Sequence, residues 1–113
     1  MTESNLHLVG GLNEPPTELD WVPLRPGVDA AWIYREENGG AAAYLRYQPG
    51  AEVPLHRHPA PEHIFVLDGE QEDERGRYPA GSVVINPAGT RHSVRSPKGC
   101  LVLVIWGKQV EFL

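Results

Sequence analysis

The stretch from Gly50 to Gly69, GAEVPLHRHPAPEHIFVLDG, constrains the chain more than any other. Pro59 and Pro61 flank Ala60. Each lacks an amide donor and fixes φ, so no helix runs through here and a tight turn is expected. His56 and His58 lie two apart on the strand-like segment before the turn. On a strand both leave the same face, with Cα atoms roughly 6–7 Å apart, close enough for two imidazoles to converge on one ion. Glu62 opens the next apolar run, EHIFVLDG, and is placed to swing back toward them. Neutral imidazoles with a carboxylate suit one divalent transition metal: iron, manganese, nickel or zinc.

The rest of the chain reads as short strands between turns. Gly (12) and Pro (11) punctuate short apolar runs, which indicates an all-β sandwich or barrel. AAWIYRE (30–36) and AAAYLRYQ (41–48) read as strands joined by Asn38-Gly39-Gly40, a hairpin signal because Asn and Gly tolerate positive φ. Asp68-Gly69 is expected to turn the chain out of the histidine stretch. SVVI, HSVRS and CLVLVIWG follow as strands, and the last, apolar on consecutive positions, is expected to be covered on both faces. Residues 1–29, with Pro15, Pro16, Pro23 and Pro26, read as an extended, irregular arm packed locally on a barrel formed by 30–113.

At 113 residues the chain is one domain that needs no disulfide, and Cys100 has no partner cysteine. Fifteen acids against 10 bases give a formal charge of −5, which argues against nucleic-acid binding. The run EQEDERGR (70–77) reads as a solvated hairpin. No apolar run approaches a membrane span, and MTESNLHLVGG has no basic region leading into a long apolar one. A soluble, cytoplasmic protein is expected.

Two segments together resemble the cupin family. Gly50, His56, His58, Glu62 and Gly69 satisfy every spacing of its first motif. Gly81, Pro87, Gly89 and His92 match its second, with Ser96 where Asn is usual. The resemblance implies a double-stranded β-helix, a jelly-roll barrel, holding its metal on His56, His58, Glu62 and His92. Residues 20–106 further resemble the ChrR-type cupin-like domain, known from a bacterial zinc-dependent anti-sigma factor and from stand-alone proteins. That factor grips its sigma partner with a separate helical zinc-binding module. Here the arm has no His/Cys cluster, so sigma binding is not carried over.

Other polar residues receive plainer readings. His63 follows Glu62 and points to the opposite face, His7 lies in the arm, and Asn86 reads as a turn residue. HPAPEH is not a helical zinc-protease motif, which has two intervening residues and no proline. Tyr44, Arg46 and Phe65, with Tyr47 and Trp106, are candidates for a substrate pocket, against the plainer reading of core or interface.

Two functions are expected from the resemblance. One is an oxygenase whose metal, with open positions, acts with dioxygen on a small organic substrate, a diketone or phenolic ketone. The other is a non-catalytic zinc- or nickel-binding sensor. Isomerase or epimerase chemistry is weaker, since no dedicated His-Asp or Tyr pair is evident. A homodimer is expected because that assembly is common in the fold.

Overall fold

A computed structural model describes residues 6–14 and 18–113. Among these residues there is no helix, and so none long and apolar enough to cross a membrane. Ten strands run in chain order: β1 (Val22–Arg25), β2 (Val28–Arg35), β3 (Ala41–Tyr47), β4 (Ala51–Arg57), β5 (Glu62–Asp73), β6 (Gly76–Pro79), β7 (Val83–Asn86), β8 (Arg91–Ser96), β9 (Cys100–Trp106) and β10 (Glu111–Phe112). All pairings are antiparallel.

The expected hairpin is β2–β3. Its turn is closed by the Gly40 amide donating to Asn38 Oδ1 at 2.8 Å, with Gly39 at φ +95°. One curved sheet holds β1, β2, β3, β9, β5 and β7, and β4, β8, β6 and β10 form the facing one. Strand β1 and the start of β2 fall within residues 1–29, since VPLR pairs with β2 despite Pro23. An edge strand tolerates a missing amide donor. Pro15 and Pro16 lie outside the described residues.

β5 belongs to both sheets. Its first half pairs with β9 and β7, its second half with β6 and β8. The turn expected at Asp68-Gly69 is therefore a crossing inside a twelve-residue strand. A register shift between Val66 and Asp68 bends the strand there, as a bulge does. Gly69 makes the crossing possible. Its φ is +73°, and a Cβ there would stand 2.2 Å from the Gly99 carbonyl oxygen.

Alternation then sorts the side chains. Val28, Ala30, Leu45, Ile64, Val66, Val94, Val102 and Val104 fill the space between the sheets. β9 is covered on both faces, since Leu103 packs outward with Ala31 and Tyr44. Leu8, Leu19 and Trp21 lie over that outer cluster. The charge run 70–77 does form a hairpin, β5–β6, but it is not wholly solvated: Gln71, Glu72 and Asp73 are buried.

Candidate metal centre

The cluster is built at one end of the barrel by three strand segments. His56 on β4 pairs directly with His92 on β8. His58 follows β4 and is fixed by two backbone hydrogen bonds, its amide to the Thr90 carbonyl (2.9 Å) and the Gly89 amide to its own carbonyl (2.7 Å). Glu62 starts β5 opposite Asn86 on β7. All four side chains are buried, and the three imidazoles place ligand nitrogens within 4.8 Å of one another. Their ring centroids are 4.7–5.0 Å apart.

Each imidazole has its Nδ1 edge tied to an acceptor. His56 Nδ1 lies 2.8 Å from the Pro54 carbonyl. His92 Nδ1 lies 2.9 Å from Asp73 Oδ2. His58 Nδ1 lies 3.1 Å from Thr90 Oγ1, whose own proton goes to the Pro87 carbonyl at 2.6 Å. A carbonyl, a carboxylate and a hydroxyl oxygen whose proton is already engaged can only accept. So all three Nδ1 atoms carry hydrogen, and in the neutral rings the Nε2 atoms present lone pairs.

Those Nε2 atoms test whether the residues fit a metal. His58 Nε2 and His92 Nε2 are buried with no hydrogen-bond partner. Glu62 Oε1 approaches them at 3.2 and 3.8 Å but does not make an aligned hydrogen bond to either. A buried orphan of this kind costs about 1–3 kcal/mol. Two of them aimed at one carboxylate oxygen are what a cation would satisfy, and three imidazole nitrogens with one carboxylate make a borderline donor set for a divalent transition metal. The residues fit.

Electrostatics favour the ligand form of His56 and Glu62. Burial lowers the His56 pKa, outweighing the pull of the Pro54 carbonyl, so the neutral ring is favoured. For Glu62, burial pushes upward, but the nearby imidazoles, His58 foremost, outweigh it and hold the carboxyl below its ordinary value. Asn86 Nδ2 also donates to Glu62 Oε1 at 3.0 Å. Asp73 behaves likewise: burial raises it, yet hydrogen bonds from His92, Tyr78 and the Arg75 amide bring it below its ordinary value.

Beside the cluster lies a cavity of about 440 Å³. His56, His92 and Glu62 form part of its wall, and Tyr47, Ile64 and Trp106 are among its apolar lining. Tyr44, Arg46 and Phe65, the expected substrate contacts, are not in that lining. Tyr44 and Phe65 pack in the outer cluster, and Arg46 pairs with Asp29 at 3.1 Å under the arm, its Cζ 4.2 Å from the Trp21 ring centroid. Strand parity is the reason. On β3 the inward residues are Ala41, Ala43, Leu45 and Tyr47, and on β5 Phe65 stands three residues from inward-facing Glu62. Two residues bearing on the site were read otherwise from sequence. Asp73 sat within a charge run and Asn86 beside a turn, yet one orients His92 and the other holds Glu62.

Comparisons with known proteins agree with this architecture. Dimethylsulfoniopropionate lyase DddQ of Ruegeria pomeroyi is 36% identical over 77 residues, 62% of this chain and 38% of the lyase. The chain thus spans less than two fifths of that curated relative. The Rhodobacter sphaeroides SigE complex with the anti-sigma ChrR matches with a TM-score of 0.70 at 27% identity, over 79% of this chain and 49% of the other. An acetylacetone dioxygenase from Acinetobacter johnsonii matches with a TM-score of 0.79 over all of this chain and 80% of its own, at 17% identity, a likeness of fold alone. The profile of the ChrR cupin-like domain covers residues 14–110. With that span matched and the barrel and histidine cluster in place, the chain belongs to the ChrR cupin-like domain family.

Proposed function

We propose that His56, His58, Glu62 and His92 hold one divalent transition metal and that a small organic substrate of the diketone or phenolic ketone class is oxygenated beside it. The observation that carries this is the set of three imidazoles whose Nδ1 edges are tied back while their Nε2 edges converge at a cavity wall. When bound, such a metal supplies Lewis acidity and, if it is iron, redox chemistry with dioxygen. The chain's own residues do the rest. Glu62 contributes one negative charge, and Asn86 fixes its carboxylate. Ile64, Val104 and Trp106 make a wall that keeps water from the reacting end. The acetylacetone dioxygenase shares the fold and makes a diketone the first substrate to test.

The second reading is a zinc- or nickel-binding sensor, favoured by the 27% identity to the chain of the ChrR complex. Elemental analysis of the purified protein tests both, alongside oxygen uptake with acetylacetone after iron loading. Stoichiometric iron with substrate-dependent uptake supports oxygenation. Tightly held zinc and no uptake moves the assignment to sensing, and cleavage of dimethylsulfoniopropionate would replace both with lyase chemistry. No metal under any loading condition overturns the site.

A further inference from the structure

Tyr47 and Gln71 line the cavity and are nearly fully buried, at 6% and 3% exposure. They stand away from the histidine end. Tyr47 pairs with Cys100 at one end of β9, while Glu62 pairs with Trp106 at the other. Gln71 follows the crossing at Gly69 and comes in from the facing sheet. Between the two ends the lining is apolar, with Leu45, Val53, Ile64, Val94 and Val104.

Among the described residues the two side chains have no hydrogen-bond partner but each other. Burial, joined by Cys100 and Glu62, pushes the Tyr47 phenol far above its ordinary pKa, and the Gln71 contact pulls the other way. A contact that favours the phenolate is a donated N–H, so the Gln71 amide nitrogen faces the Tyr47 oxygen. The Tyr47 O–H and the Gln71 carbonyl are left unspent. Neither is closed off: among the described residues the sealed, unpartnered side-chain atoms are Trp32 Nε1 and the Nε2 atoms of His58 and His92. The Tyr47 and Gln71 atoms therefore open onto the cavity they line.

One donor beside one acceptor, both neutral, is the complement of a hydroxyl group, which accepts once and donates once. A carbonyl oxygen would leave the Gln71 carbonyl unmet, and an ammonium would leave the Tyr47 proton unmet. A diketone with both oxygens at the histidine end does not reach the pair. A flat aryl ring with a hydroxyl opposite its ketone does, and its ring lies along the apolar middle of the cavity.

We propose that Tyr47 and Gln71 are the specificity-determining pair of the site, holding a hydroxyl at the end of the substrate remote from the histidines. Within the class proposed above they select the phenolic ketone. This rests on the metal reading for the ketone end alone, and the test separates the two. 4-Hydroxyacetophenone and acetophenone, which differ by that hydroxyl, are titrated by calorimetry into metal-loaded protein, with metal content measured on the same sample. The hydroxyl compound is expected to bind about tenfold more tightly. Tyr47→Phe and Gln71→Leu should each erase most of that ratio and leave metal content unchanged, while Tyr44→Phe, in the outer cluster, should keep it. Equal affinities, no binding of either compound, or a ratio surviving both substitutions overturns the assignment and leaves the metal site standing. The same pair is titrated into metal-free protein and read by tryptophan fluorescence, since Trp32 and Trp106 line the cavity. A preference for the hydroxyl compound there, in a protein that takes up no metal under any loading condition, would support the hydroxyl subsite and overturn the metal reading instead.

Discussion

Asp73 and His92 meet across the contact between β5 and β8, Oδ2 and Nδ1 2.9 Å apart with both side chains buried. The other carboxylate oxygen accepts from Tyr78 at 2.7 Å and from the Arg75 amide at 2.8 Å. Asp73 is thus held from three sides and in turn holds the ring of His92. Asp73→Ala should weaken metal retention by roughly 10- to 100-fold without abolishing the fold. Competition with a chromophoric chelator measures it; unchanged retention would mean the ring needs no such support.

Metal should stabilise the protein, because the orphaned nitrogens exist only in the folded state. At a free metal concentration about 100 times Kd, linkage gives about 2.7 kcal/mol, a rise in Tm of roughly 10 °C. His58→Ala and His92→Ala should each remove that rise. Differential scanning calorimetry with and without metal checks this, and an equal rise in the variants would locate binding elsewhere.

Tyr44 is fully buried in the outer cluster. Tyr44→Ala should cost about 3–5 kcal/mol in urea denaturation and leave metal stoichiometry unchanged. Lost metal with retained stability would return Tyr44 to the site.

The gap between sequence and structure falls where the strands change parity. His56, His58, Glu62 and His92 were legible because their spacing ties them to strand ends and turns that are local. Phe65 was also legible in principle: three residues from Glu62 on a strand means the opposite face. Gln71 and Asp73 were not. The register shift near Val66 resets the alternation of β5, so its far end turns inward although the residues around it read as a solvated charge run. Gly69 looked like a turn since turns and sheet crossings both use positive φ, and only long-range pairing tells them apart.

Gly69→Ala should destabilise the barrel by more than about 2 kcal/mol, combining positive φ with a Cβ aimed at the Gly99 carbonyl. Gly81→Ala is the control, with a comparable φ of +93° and nothing within 4 Å of the added Cβ. Equal losses in urea unfolding would assign the effect to φ alone.

Cys100 ties stability to alkaline pH. Burial, above all, moves its pKa from 9.0 up to about 11, with Ser96 opposing and the Asp68 charge adding. The folded state favours the neutral thiol, so its contribution is complete below about pH 9 and is lost as pH rises toward 11. Urea midpoints should fall between pH 9 and 11 by an amount equivalent to about 1–3 kcal/mol, and by less in Cys100→Ala. Identical pH profiles would exclude the thiol as the cause.

Strand β5 opens with Glu62 and closes with Asp73, so its two ends bear on one histidine cluster from different sheets. No local piece of chain carries the complete chelate. His56, His58 and Glu62 lie within seven residues, but His92 joins them only when β8 pairs with β4. A metal that needs His92 as a ligand is therefore expected to bind only after β4 and β8 have paired. If that pairing follows the main barrier, the ion should slow unfolding and leave the refolding rate nearly untouched.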